Sequence, residues 1–219
     1  INEMSLALNF TNEGGVGNTI RLLKNITGLW LVQECRRVWN QSGRSWDWED
    51  LNRLTGEAPG LVSFINPDHT MFLAPTDMPE AIREFTRRTG QRVPDSEGAV
   101  LRCALDSIAM KFRHVLEMCE ELIRRRIRVV HIVGGGTKNR LLCQAAADAC
   151  GRPVLAGPVE ATAIGNIMMQ AVAAGEVGSI GEARNIVRES FPLDEYHPRN
   201  VQAWNDAYSR FMEVLDAEV

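Results

Sequence analysis

Gly134-Gly135-Gly136, followed at once by Thr137, Lys138 and Asn139, is the stretch whose residue types best suit phosphate chemistry. Glycine turns sharply and leaves no side chain to keep a ligand off the backbone. Val129 to Val133 before it reads as a strand continuous in hydrophobicity, hence buried on both faces. Leu141, Leu142, Ala145, Ala146 and Ala149 after it mark an amphipathic helix. Strand, glycine turn, helix is an order that points free N–H groups and the positive end of a helix dipole at the turn. The spacing is neither GxGxxG nor the GxxxxGKS/T of a Walker loop. By itself the pattern is more often a plain connection than an anion site. Two amides, Asn25 and Gln33, add hydrogen-bonding capacity elsewhere. They are eight positions apart and project from a similar face if the stretch from Asn18 to Trp39 is one helix.

Composition narrows the classes. The chain has 219 residues, 45% hydrophobic and 24% charged, enough for one large domain or two small ones. A formal net charge of −4 argues against a nucleic-acid protein, which carries a basic face. Nowhere does an apolar run reach the roughly 18 residues that cross a bilayer. No apolar run follows a basic start, so no secretory leader is expected. Five cysteines form no CxxC pair and read as reduced thiols of a cytoplasmic protein. The four histidines are scattered, and no metal site is predicted.

The elements that must position the glycine turn follow from periodicity. Leu6, Leu8 and Phe10 alternate with polar or small residues and predict a strand, closed by a turn at Asn12-Glu13-Gly14-Gly15. The helix from Asn18 to Trp39 includes Gly28 and puts Trp30 on its apolar side. Ser45 is expected to cap a short helix to Thr55, with Trp46 and Trp48 partly exposed. Leu61 to Ile65 is a strand candidate, and Asn66-Pro67-Asp68-His69 a turn. Asp77 caps a helix ending near Gly90, and the longest helix runs from Pro94-Glu97 to Arg126. A strand at Pro153 to Ala156, a small-residue helix from Glu160 to Ala174 and a helix to Ser190 come next. Pro192 to Pro198 reads as loop, and Asn200 to Asp216 as a terminal helix with Val201, Trp204, Tyr208, Phe211 and Leu215 inward. Strand and helix alternate in the second half, which predicts α/β architecture with parallel pairing. Four strands are few for so many helices. With an opening at Ile1 rather than Met, the chain is expected to be the later part of a longer protein whose early sheet strands are missing.

Several stretches together resemble one family. They are Thr11-Asn12-Glu13-Gly14-Gly15, Leu22-Leu23-Lys24-Asn25-Ile26-Thr27-Gly28-Leu29-Trp30-Leu31-Val32-Gln33, Asp106-Ser107-Ile108-Ala109, His131 to Gly136, and Ala156-Gly157-Pro158-Val159-Glu160-Ala161-Thr162-Ala163-Ile164-Gly165-Asn166. In order from Leu6 to Phe191, they look like the C-terminal domain of the FGGY carbohydrate kinases. Within that family the likeness is greatest to the branch that phosphorylates L-rhamnulose on its 1-hydroxyl with ATP and Mg²⁺. The resemblance implies an actin-like ATPase, ribonuclease H-like domain over residues 1–219, the ATP side of a two-domain kinase. Gln33 and Gly135 match positions that contact ATP, with Gly134 and Gly136 flanking and Asn139 close by. Asn25 matches a position that contacts the sugar.

The resemblance also implies what is missing. The family's catalytic base is an aspartate at the end of the first, sugar-binding domain, upstream of this chain. None of Asp47, Asp50, Asp68, Asp77, Asp95 or Asp106 matches it, and Asp106 reads as a structural hydrogen-bonder. No catalytic residue is assigned, and Mg²⁺ is carried by the nucleotide. Cys103 and Cys150 match positions that pair in some members, but their partner positions hold other residues here. The implied partners are ATP, a sugar and the missing N-terminal domain; exposed apolar surface further predicts self-association. Two other readings stand beside this one: a kinase for a xylulose- or fuculose-like sugar, and a non-catalytic actin-like interaction module.

Overall fold

The computed structural model describes residues 2–217. In chain order the elements are α1 (Glu3–Ala7), β1 (Thr11–Gly14), β2 (Ile20–Leu23), α2 (Trp30–Gln41), α3 (Trp48–Glu57), α4 (Met78–Arg88) and α5 (Glu97–Ile123). They continue with β3 (Val130–Ile132), α6 (Arg140–Cys150), β4 (Val154–Ala156), α7 (Ala161–Ala173), α8 (Ile180–Ser190), β5 (Asp194–Tyr196) and α9 (Val201–Leu215). The chain divides into two compact units, Ile1–Ile127 with Gln202–Val219, and Arg128–Val201. The α/β class matches the sequence expectation, with small sheets.

The first unit is built on α5. Ser96 caps it by accepting from Ala99 N–H at 3.3 Å, and its buried side includes Leu101, Ala104, Leu105 and Ile108. α3 packs against it where Gly98 replaces a side chain that would run into the Leu54 carbonyl. Phe72, Phe85 and His69 fill the space under α4, and Phe64 meets Phe211 of α9 edge-on at 5.9 Å. The predicted cap at Asp77 is present, accepting from Glu80 N–H at 2.9 Å.

Several expectations fail for identifiable reasons. Leu6 to Phe10 is not a strand. Asn2 and Ser5 form a reciprocal capping box that starts α1 instead, and Leu6 points to solvent. The predicted turn at Asn12 to Gly15 is largely strand, because β1 pairs antiparallel with β2, Thr11 opposite Leu23 and Gly14 opposite Ile20. That hairpin interrupts the predicted helix. Gly17 and Asn18 adopt left-handed conformations (φ 63° and 58°), which close it, and Ile20, Ile26, Thr27 and Gly28 are weak helix formers. The helix therefore begins only at Trp30, which is exposed rather than on an apolar face. The third helix is capped by Asp47, not Ser45, through a 2.8 Å bond from Asp50 N–H. At the C-terminal end of the chain, Asp194–Tyr196 is a strand rather than loop, paired antiparallel with β4. In α9 the buried residues are Trp204, Ala207, Phe211 and Val214, a face rotated slightly from the predicted one.

Leu61 to Ile65 is not a strand: Leu61 is left-handed (φ 59°) and the segment pairs with no strand. Its backbone is held by side chains. Leu61 N–H donates to Asp106 Oδ2 (2.6 Å), Phe64 N–H to Gln91 Oε1 (2.7 Å) and Ile65 N–H to Ser107 Oγ (2.9 Å). Asp106 also accepts from Arg102 Nε at 2.9 Å. This is the structural role expected of it. Burial pushes its carboxyl pKa up, against the pull of Arg102 and the Leu61 N–H. Replacing it removes the acceptor that Arg102 Nε and the Leu61 N–H share, leaving Arg102 only its 3.3 Å bond to Ala58 O and the Leu61 N–H without its carboxylate. Asp106→Ala is expected to lower unfolding free energy by about 3 kcal/mol, read from the urea midpoint.

Candidate functional site

The second unit holds the glycine turn. β3 and β4 run parallel, Val130 opposite Val154 and Ile132 opposite Ala156, as the strand–helix alternation predicts. A right-handed crossover through α6 is the usual consequence of such pairing. Parallel neighbours put the turns that follow them at the same sheet end, where α/β proteins bind ligands. Here those turns are stitched together. Gly157 N–H donates to Ile132 O (2.8 Å), and Gly134 N–H donates to Pro158 O (3.2 Å). β3 is only half-buried, with His131 exposed, so the expectation of burial on both faces does not hold.

Gly134 to Lys138 forms a single 3-10 turn rather than the first turn of an α-helix. Gly134 has φ 77°, a conformation that costs an L side chain about 1 kcal/mol or more. Thr137 closes the turn, its buried hydroxyl donating to Gly134 O at 2.8 Å. Beneath it Cys143 Sγ lies 3.8 Å from Gly136 O, and burial pushes that thiol up to about 11. It packs as a neutral group. Gly135 is exposed, and a Cβ built on it would meet nothing within 4 Å. The backbone there is therefore open to approach from solvent.

Asn139 links turn to helix. Its N–H donates to Gly136 O (3.1 Å), and its Oδ1 accepts from Leu142 N–H (2.9 Å) as the N-cap of α6. One of the first N–H groups of that helix is thus satisfied by the protein itself. The small-residue helix α7 follows the second turn. Ala161, Ile164, Met168 and Ala171 are half-buried, as predicted, together with Met169 and Val172, but no residue of α7 is fully buried.

Asn25 and Gln33 belong to the other unit. Asn25 lies in the stretch between β2 and α2, and Gln33 in the first turn of α2, its N–H bonded to Leu29 O at 2.9 Å. Both are exposed. They do not share a helix face, because Asn25 is not helical. The structure thus brings Gly134, Gly135, Gly136 and Asn139 into one turn and leaves Asn25 and Gln33 on a separate unit. The bonds by which Thr137 and Gly157 hold the turn were not foreseen from the sequence. A threonine after a glycine run, and a Gly-Pro dipeptide after a strand, are the signals that mark them. Among the described residues, no group of three or more His, Cys, Asp or Glu is placed to hold a metal ion. Nor is any helix long and apolar enough to cross a membrane.

Comparison with known proteins adds the following. Residues 1–174 match the model of the FGGY family of carbohydrate kinases, C-terminal domain. The chain is 47% identical over 209 residues to a rhamnulokinase of Bacteroides thetaiotaomicron, covering 95% of this chain and 42% of that protein. It is 43% identical over 217 residues to a rhamnulokinase of Pectobacterium atrosepticum, covering 98% of this chain and 42% of that protein. The chain therefore spans about two-fifths of the length of these relatives. A ligand-bound xylulose kinase from Lactobacillus acidophilus superposes with a TM-score of 0.63 at 12% identity, over 95% of this chain and 42% of that one. At that identity the likeness concerns fold alone, which is the actin-like architecture of FGGY sugar kinases.

The turn makes a contrast between neighbouring glycines. Gly134→Ala is expected to cost about 1 kcal/mol, because it forces a side chain into the left-handed region. Gly135→Ala is expected to stay within about 0.5 kcal/mol of the parent. Paired urea melts check both.

Proposed function

Because the chain belongs to the FGGY family of carbohydrate kinases, we propose that it is the ATP-side domain of a kinase that phosphorylates L-rhamnulose on its 1-hydroxyl. The observation that carries this reading is the 47% identity, across 95% of the chain, to a protein named rhamnulokinase. The domain would span residues 1–219 and work with an N-terminal sugar-binding domain in a cytoplasmic enzyme.

When bound, MgATP supplies the phosphoryl group and the metal charge that offsets the phosphates. The residues present suit such a group. Gly135 offers open backbone, and Gly134 and Gly136 leave no side chain to obstruct it. The start of α6, just beyond, adds the positive end of a helix dipole. Asn139 spends its Oδ1 on the cap, so its Nδ2 is the group it would offer to the nucleotide. Gln33 enters as a further ATP contact, and Asn25 as a hydrogen-bonding partner of the sugar, by their match to family positions.

The chain's own carboxylates do not supply the base that takes the sugar proton. Asp106 is sealed in the core and committed to Arg102 and Leu61. The remaining step, deprotonation of the 1-hydroxyl, falls to the preceding domain. A proton acceptor must lie within hydrogen-bond reach of the group it deprotonates.

In calorimetry, the 219-residue chain is expected to bind MgATP weakly and to phosphorylate no sugar. The product of the complete reading frame should phosphorylate L-rhamnulose in preference to xylulose and fuculose in a coupled assay. Preference for another ketose would place the chain in a different branch of the family. Absence of any transfer by the complete product would favour the non-catalytic module. Gly135→Ala should raise the KM for ATP at least about fivefold with the fold intact, since it puts a methyl group where the phosphates approach.

A further inference from the structure

Asn25 lies outside both β2 and α2, in a stretch whose position must be set by something other than a ladder or a helix. Two ties flank it. On one side, Lys24 Nζ donates to Leu8 O (2.7 Å) and sits 5.4 Å from the centre of the Phe10 ring. On the other, Thr27 N–H donates to Asp68 Oδ1 at 2.7 Å. Asp68 is itself gripped from two directions. Its Oδ2 pairs with Lys111 Nζ at 3.1 Å, and its N–H donates to Asn66 Oδ1 at 3.2 Å. Lys111 is buried on α5, and the Asn66 turn is closed by His69 N–H to Asn66 O at 3.0 Å.

The carboxylate thus joins α5 to a stretch that belongs to neither strand nor helix. A bond from an N–H to an ionised oxygen is among the stronger hydrogen bonds. A shift of about 1 Å in a substrate-positioning group costs on the order of a hundredfold in rate. We infer that Asp68 is a positioning residue for the sugar: through the Thr27 N–H it sets where the Lys24–Gly28 stretch presents the Asn25 amide, and Lys111 holds Asp68 in place. The inference rests on the reading of Asn25 as a sugar contact.

The test is steady-state kinetics on the product of the complete reading frame, with both substrates varied and thermal melts alongside. The variants are Asn25→Ala, Asp68→Ala and Asp68→Asn. Asp68→Ala is expected to raise the sugar KM about tenfold, as loss of one charge-assisted bond would, while the ATP KM stays within about twofold. Asp68→Asn keeps an oxygen that can accept from Thr27 and should recover most of the loss. Asn25→Ala should raise the sugar KM by itself. If Asn25→Ala raises it and Asp68→Ala does not, the positioning role is overturned while the sugar contact stands. If Asn25→Ala leaves it unchanged, the sugar contact fails and the inference fails with it. If Asp68→Ala raises both KM values alike, or Asp68→Asn is no better than Asp68→Ala, the residue is only structural.

Discussion

Satisfying buried backbone polar groups without a large sheet is the constraint on which the first unit depends. An N–H left unpaired in the interior costs more than a made hydrogen bond gains. Leu61 to Ile65 enters the core at Ser63 to Ile65 and pairs with no strand, and α5 supplies part of the missing ladder. Asp106 and Ser107, consecutive on that helix, accept from Leu61 and Ile65. Gln91 takes both polar groups of Phe64, accepting from its N–H and donating to its carbonyl at 2.8 Å. Polar residues on the buried side of a helix usually weaken a core. Here each has its partners, Ser107 also donating to Cys103 O at 2.6 Å, and Phe64 and Ile65 stay fully buried.

The second unit solves the same problem by pairing. Three short strands are enough because the loops at the ends of β3 and β4 also bond to each other. Those two bonds, Gly157 to Ile132 and Gly134 to Pro158, extend the parallel register beyond the last ladder pair. They leave Gly135 at the crest of the turn. A binding turn gains from such support, since a backbone already held in place loses little freedom when a ligand arrives.

Legibility followed locality. Local signals were partly readable: Asp77 caps α4 as its sequence suggests, whereas at α3 the cap is Asp47, two residues past the expected Ser45. The glycine turn was readable as a turn, but its family-level meaning came from several motifs together. What failed depended on partners distant in sequence or on competing local chemistry. The spacing of Ile20, Leu23 and Ile26 fits a helix, yet a hairpin through Gly17 and Asn18 claims Ile20 and Leu23 for β2 and leaves Ile26 in the stretch beyond it. Asn25 and Gln33 were placed on one face for that reason alone. Nor could periodicity show that Leu61 to Ile65 would find its partners on residues 91, 106 and 107.

The titrating groups explain why this chain suits recognition better than proton transfer. Burial is the largest influence on Asp106, Cys103 and Cys143. It pushes Cys103 up to about 12 and Cys143 to about 11, so each thiol is a neutral packing group near neutral pH. Burial, with Lys111 next, lowers His114, so that side chain gives up its charge more readily than a free histidine. A general base needs the opposite setting, an accessible group tuned to operating pH. The exposed candidate residues instead present bare backbone at Gly135 in one unit and amides at Asn25 and Gln33 in the other. Such groups keep one protonation state throughout the physiological range. Hydrogen bonds made by such groups do not depend on pH within that range.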